Sequence, residues 1–259
     1  QGHGCAHHMQ TPAMIGAAMA LRGVLESSDQ PFEIHVIGTP SEESLDGGKN
    51  EMAAHGGFDH IDVAFMVHGS TLTQLETPSL ALIEMDVEFH GKTAHAGIAP
   101  YAGRSAVDAV TMLQTGLGLM RNHLKDSSRV SNIVLAGGTA VNSVPDFAKV
   151  KVEIRHSSMA YLESVEQWTR EIAEAAAMAT QTQVQITPVA HIYNTTINDA
   201  MGALLMECAE KFACDGIAPP RKDCGSTDFG AVTHRLPSCC LRVKTIETDD
   251  PPHTDAWVK

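Results

Sequence analysis

The sequence predicts an α/β protein: a mainly parallel sheet with helices on its faces, interrupted by a second unit of βαββαβ order. Three observations carry that expectation. β-branched runs alternate with Ala-, Met- and Leu-rich stretches in the opening part of the chain. A middle stretch reads strand, helix, strand, strand, helix, strand. Polar residues gather just past the strand ends, where ligands sit in open α/β sheets.

The first helix opens at "PAMIGAAMALRGVL", with Thr11 as its N-cap and Pro12 at the first helical position. "FEIHVIGT", residues 32–39, lies between Pro31 and Pro40 and reads as a strand, as does "DVAFMVHG", residues 62–69. Between them "GGKNEMAAHGGF" makes a short helix closed by glycines. The middle unit then places strands at 82–90, 130–136, 147–155 and 183–190 around helices at 104–121 and 160–179, the ferredoxin-like order of four antiparallel strands backed by two helices. A helix at 198–213 and a strand at 238–243 return the chain to the first sheet.

At 259 residues the chain can bury a core of enzyme size. No apolar run approaches the roughly 18 residues that span a bilayer, so no membrane partner is expected. A formal charge of −13 argues against nucleic acid, which needs a basic face. Six scattered cysteines (Cys5, Cys208, Cys214, Cys224, Cys239 and Cys240) form no small-domain disulfide framework and point to a reducing, cytoplasmic setting.

The opening "GHGCAHHM" sets one cysteine and three histidines side by side. A lone His is most often a surface or core residue, a lone Cys a small hydrophobe, and "EE" a solvated helix start. Taken together, Cys5, His7, Glu43, His68 and His253 are anionic or imidazole donors on sheet-end loops, a set that two divalent cations require with some donors bridging. The adjacent acids Glu42 and Glu43 point in different directions, which lets one coordinate while its neighbour stays free as a base.

Six stretches in order, "GHGCAHHM…GAAMAL", "GTPSEESLDGGKNEMAAHGGFDHIDVAFMVHGS", "FHGKTAHAGIAPYAGRSAVDAV", "GGTAVNSVPD…IRHSS", "CGSTDFGAVTHRLP" and "PPHTDAW", resemble the signatures of the dinuclear metallopeptidases and amidohydrolases that include aminoacylase, carboxypeptidase G and the auxin-conjugate hydrolases. The resemblance is strongest to the branch of aminobenzoyl-glutamate hydrolase and β-alanyl-lysine dipeptidases. It implies a zinc-exopeptidase-like catalytic domain in two parts, 1–82 and 191–259, around a lid and dimerisation domain at 83–190. It implies two divalent ions, Zn or Mn with Co as an option, held by Cys5, His7, Glu43, His68 and His253, with Cys5 bridging. Glu42 corresponds to the general base that deprotonates a metal-activated water, and His95 to a lid histidine that reaches the neighbouring subunit's site and stabilises the tetrahedral intermediate. Asn142 and Arg155 match lid residues for the scissile carbonyl and the substrate carboxylate. The implied function is hydrolysis of the amide bond of small N-acyl amino acids or dipeptides by a homodimer.

Three departures stand out. Ala6 replaces a usual Gly, His8 a usual Asp or Asn, and "SCCLRV" an aromatic, His-containing strand. Relatives also carry strands before the first motif and a helix after the last His, so the chain is expected to be a fragment. Two rival readings stay open: Cys5 as a thiol nucleophile activated by His7, and a non-catalytic protein that dimerises through the βαββαβ unit. Arg155 pairing with a surface acid, His95 serving a turn beside Gly97 and Asn142 shaping the turn before Pro145 are the plain alternatives at those positions.

Overall fold

A 3₁₀ turn at His7–Met9 runs without a break into helix α1 (Gln10–Leu25). The Gln10 N–H bonds the His7 carbonyl, so the helix has no free start for Thr11 to cap. Pro12 falls in the first turn, where a missing N–H costs nothing. The protein is described by a computed structural model that covers residues 2–44, 47–213, 215–221 and 225–258; Cys214 and Cys224 lie outside the described residues.

Helix α2 (Gly48–Ala54) leads to β1 (Ala64–Ser70) and β2 (Gln74–Leu75). Much later α5 (Asp199–Phe212) and α6 (Gly230–Thr233) precede β7 (Ser238–Lys244), and α7 (Asp255–Val258) follows it. β1 pairs with β7 in parallel, from Ala64 opposite Ser238 to Ser70 opposite Lys244, and β2 closes the other edge of β7 antiparallel. The sheet expected to be mainly parallel is thus mixed, with one pairing of each kind among the described residues. Residues 32–39 join no ladder there. Their β-branched pattern is real, but a strand exists only through a bonded neighbour, and Val36 and Ile37 remain exposed.

Between β2 and α5 lie β3 (Ala81–His90), α3 (Ala106–Met120), β4 (Arg129–Ala136), β5 (Phe147–His156), α4 (Met159–Thr180) and β6 (Gln183–Ile192). The four strands form an antiparallel sheet in the order β4-β5-β3-β6. Period-2 alternation explains its two faces. On β5, Ala148, Val150, Val152 and Ile154 are fully buried in the core that α3 and α4 cover, with Leu113, Leu117 and Leu162 packed above them. Each such leucine contributes roughly 1.5–3 kcal/mol of burial. The intervening Lys149, Lys151, Glu153 and Arg155 lie on the other face, where Lys149 pairs with Asp86 and Glu88, and Lys151 with Glu84.

Two crossings tie this sheet to the rest of the chain. Ser79 and Thr195 exchange reciprocal bonds, each backbone N–H donating to the other's hydroxyl at 2.6 and 2.9 Å. Both buried backbone donors at the crossing are satisfied by one pair of short side chains. Among the described residues no helix is long and apolar enough to cross a membrane.

Candidate metal centre

β1 delivers His68 near its C-terminal end, with the ring buried. Its Nδ1 lies 2.6 Å from the Gly69 carbonyl oxygen, which fixes the proton there and leaves Nε2 with a free lone pair. Burial, followed by the nearby Arg242 guanidinium, holds the imidazolium pKa down at about 4, so the ring is neutral at physiological pH. The lone pair faces the opening loop: Nε2 of His7 is 3.2 Å away and Cys5 Sγ 3.7 Å.

The opening loop is shaped to bring those two donors together. Ala6 takes a left-handed conformation (φ 57°) between them and is buried against Gly69, where any Cβ would fall 2.6 Å from that of Ala6. A left-handed backbone of this kind is one that Gly adopts without strain and that costs Ala some. Ser41 (φ 59°), just before Glu42, and His253 (φ 66°) share the same unfavourable backbone region, so three of the five positive-φ non-glycine residues among the described residues lie at or beside candidate site residues. Such strain costs about 1–3 kcal/mol per residue and concentrates at functional sites.

Glu43 and His253 complete the set. Glu43 Oε1 lies 3.5 Å from His7 Nδ1, and its Oε2 lies 3.7 Å from His253 Nε2. His253 is carried to the opening loop by its own N–H, which donates to the Gly4 carbonyl at 2.8 Å. The donors gather as Cys5 with His7 and His68, as Cys5 with Glu43 and His253, and as His7 with Glu42 and Glu43. All five sequence-predicted ligands therefore converge, and Cys5 belongs to two of the groups. His8 belongs to none of them; its ring lies against His3, with centroids 4.7 Å apart.

The donor chemistry fits divalent cations. Tetrahedral zinc with its usual bond lengths sets two nitrogens roughly 3.3 Å apart and nitrogen and sulfur roughly 3.5 Å apart. The His7–His68 and Cys5–His68 separations of 3.2 and 3.7 Å match that spacing. Burial and the carboxylates of Glu43 and Glu42 push the Cys5 thiol up to about 11, so without a cation it stays protonated. A nucleophilic thiol needs the opposite shift, which speaks against Cys5 as a thiol nucleophile.

Glu42 takes a different position. Its Oε1 accepts a bond from the Thr227 hydroxyl at 3.0 Å, while Oε2 stands 3.6 Å from His7 Nε2. Arg155 sits close by on the polar face of β5. Its Nη1 donates to the Ser226 hydroxyl at 3.4 Å, and its fork is engaged by Glu153 at 2.7 and 2.9 Å. The acid partner considered in the sequence is Glu153.

His95 and Asn142 lie elsewhere. The Ala96 N–H donates to the Asn142 carbonyl at 2.9 Å, which joins the two loops at one end of the four-stranded sheet. Leu82 of β3 pairs with Arg155, and His90 with Phe147, so Arg155 lies at the opposite end, roughly 27 Å of strand away at about 3.4 Å per residue. Neither exposed residue joins the donor groups within one chain. The His95 Nδ1 accepts the N–H groups of Gly97 and Ile98, both at 3.2 Å, which places the neutral ring's proton on the outward Nε2.

The model of peptidase family M20/M25/M40 matches residues 1–256. The chain belongs to that family. It is 33% identical over its full length to the Xaa-Arg dipeptidase of Mus musculus, and 34% identical over 77% of its length to one of the p-aminobenzoyl-glutamate hydrolase subunits of Escherichia coli. It spans 61% and 43% of the lengths of those relatives. Among solved structures it is similar to an aminobenzoyl-glutamate utilization protein of Klebsiella pneumoniae (TM-score 0.66, 25% identity, 75% of this chain and 53% of that one). It shares its fold with a Bacillus subtilis peptidase of the M20 family described as dinuclear and metal-binding (TM-score 0.73, 19% identity, 98% and 66%).

Within this member of the family, four contributors to the site were not legible singly. Thr227 and Asp228 lie inside "CGSTDFG", a stretch whose residues carried no assigned role. Asp228 is buried and accepts from both the backbone N–H (2.9 Å) and Nζ (2.7 Å) of Lys49. Arg242 is clasped by Glu76 and holds one guanidinium nitrogen 3.4 Å from His68 Nδ1. With the bond of Thr227 to Glu42, these are pairings across 166 to 185 residues of sequence, for which spacing offers no signal.

Proposed function

We propose that the protein of which this chain forms part is a metal-dependent amidohydrolase that cleaves the amide bond of dipeptides or small N-acyl amino acids. The observation that carries the reading is the convergence of Cys5, His7, Glu43, His68 and His253 on two overlapping donor groups that share Cys5. Xaa-Arg dipeptidase and aminobenzoyl-glutamate hydrolase among the relatives support the substrate class.

Cys5, His7 and His68 would hold one divalent ion, and Cys5, Glu43 and His253 a second; zinc, manganese or cobalt suits a mixture of thiolate, imidazole and carboxylate. When bound, such ions acidify water and polarise an amide carbonyl. Glu42 is the proton carrier. Its Oε1 is held by Thr227, so Oε2, which faces the donor groups, is the oxygen free to accept a proton from water and return it to the leaving amine. Arg155 offers a planar fork for a substrate carboxylate, exchanged for the fork to Glu153 as substrate binds.

His95 supplies an Nε2–H donor for the developing oxyanion, and Asn142 a side-chain amide beside it. Both stand at the far end of the sheet from Arg155, so the reading requires a second copy whose βαββαβ unit delivers them; this lid and dimerisation role belongs to residues 83–190, inserted between catalytic segments 1–82 and 191–259. The four free thiols among the described cysteines suit a cytoplasmic setting. The test is hydrolysis of a panel of Xaa-Arg dipeptides and N-acyl amino acids by metal-loaded protein. Turnover abolished by EDTA and restored by added zinc or manganese supports the reading, and turnover indifferent to chelation sinks it.

A further inference from the structure

We infer that Thr227 is a positioning residue that holds the carboxylate of Glu42 in its working orientation. The inference rests on the proposed role of Glu42 as proton carrier and adds to it a residue with no assigned part.

The hydroxyl of Thr227 donates to Glu42 Oε1 at 3.0 Å. Its own oxygen accepts the Phe229 N–H at 3.4 Å, so the hydroxyl proton is left to point at the carboxylate. A glutamate side chain has three rotatable bonds and Glu42 is partly open to solvent, so with nothing to hold it the carboxylate would sample several rotamers. One bond to Oε1 selects among them and leaves Oε2 turned toward His7 and the donor groups.

Thr227 is itself anchored from both sides. The next residue, Asp228, is buried and ties down the start of α2 through the two bonds from Lys49. A Cβ on Gly48 would fall 2.0 Å from the Pro40 carbonyl oxygen, so α2 is also packed directly onto the chain that leads into Glu42. The residue before, Ser226, receives Arg155. Three consecutive side chains thus touch the sheet that carries Arg155, the proton carrier and the helix behind it. Only the middle one contacts the reacting group, and a misplacement near 1 Å at such a group costs on the order of 100-fold in rate.

The test compares Thr227→Val, which keeps the shape and removes the hydroxyl, with Thr227→Ser, which keeps the hydroxyl. In the metal-loaded chain with an Xaa-Arg dipeptide, Thr227→Val is expected to lower kcat by about 10- to 100-fold with KM within about twofold, and Thr227→Ser to restore kcat to within about threefold. Metal stoichiometry and melting temperature stay at the wild-type values. A crystal structure of metal-free Thr227→Val is expected to show Glu42 in a changed or split side-chain conformation. Thr227→Ala, read in the same ways, takes the place of the valine variant should that fail to fold. Val and Ser variants with equal kcat, or a Glu42 conformation unchanged by loss of the hydroxyl, overturn the inference. Glu42→Gln assayed alongside separates the two levels: if it retains turnover, the proton-carrier role itself fails, whereas if it is inactive and Thr227→Val matches wild type, only the positioning role fails.

Discussion

His7 and His68 bring their Nε2 atoms within 3.2 Å of each other across 61 residues of sequence. Two imidazole nitrogens approach this closely when one donates to the other or when a shared cation lies between them. His68 carries its proton on Nδ1, bonded to Gly69, so its side of the contact is an acceptor. Either partner, a His7 N–H or a metal ion, requires His68 to stay neutral.

That neutrality makes metal-free stability depend on pH. The folded pKa of His68, about 4, lies below its ordinary 6.5, so between those values the unfolded chain binds the extra proton and the folded one does not. Stability is fully present above pH 6.5 and falls as pH drops toward 4, by about 3 kcal/mol in all at 1.36 kcal/mol per pKa unit. Urea titrations of metal-free protein at pH 7, 5.5 and 4 should show this loss in wild type and a shallower one in His68→Gln. Equal slopes in the two proteins would remove the buried neutral ring as the cause.

The raised Cys5 thiol sets its reactivity. A pKa near 11 against an ordinary 9 leaves about 100-fold less thiolate at neutral pH. In metal-free protein iodoacetamide should therefore label the exposed Cys208 well before Cys5, as read by peptide mass mapping. Preferential labelling of Cys5 would revive the thiol nucleophile.

Removing the Lys49 side chain should destabilise the fold strongly. Lys49→Met strands the buried Asp228 carboxylate with its backbone bond alone, and breaking a buried pair from one side costs about 3–5 kcal/mol. The double variant Lys49→Met with Asp228→Leu should recover part of that loss in chemical denaturation. A single variant within about 1 kcal/mol of wild type would show the pair to be solvated instead.

Much of this architecture is written locally in the chain. The strands read at 82–90, 147–155 and 183–190 are Ala81–His90, Phe147–His156 and Gln183–Ile192, because alternation on a half-buried sheet is a local signal. The helix read at 160–179 is Met159–Thr180, capped by the Ser158 side chain, which accepts from the Tyr161 N–H. The five candidate donors were legible only as a set, because each residue type alone has an ordinary role elsewhere and their combination on sheet-end loops suits a cation pair. The failures share one cause, which is dependence on a distant partner. The run at 32–39 carries strand chemistry without a bonded neighbour, and Thr11 has cap chemistry at a helix that starts in the preceding turn. Thr227, Asp228 and Lys49 matter only through contacts made after folding.

On the proposed reading, His95 and Asn142, which stand at the far end of the sheet from Arg155, reach the site from a second copy in a symmetric dimer. His95→Ala and Glu42→Gln should each be inactive alone, yet mixing the two under exchange conditions should restore about a quarter of wild-type turnover, since random pairing makes half the dimers mixed with one intact site each. No recovery in mixtures that demonstrably exchange subunits would confine each site to a single chain.

The number of metal ions bound per chain decides whether the five donors form one centre. Plasma mass spectrometry on protein dialysed against zinc or manganese should count about two equivalents per chain in wild type, and Cys5→Ala, which removes the donor common to both groups, should lose both. Fewer than one equivalent in wild type, or two retained after Cys5→Ala, would contradict a cation pair bridged by that thiolate.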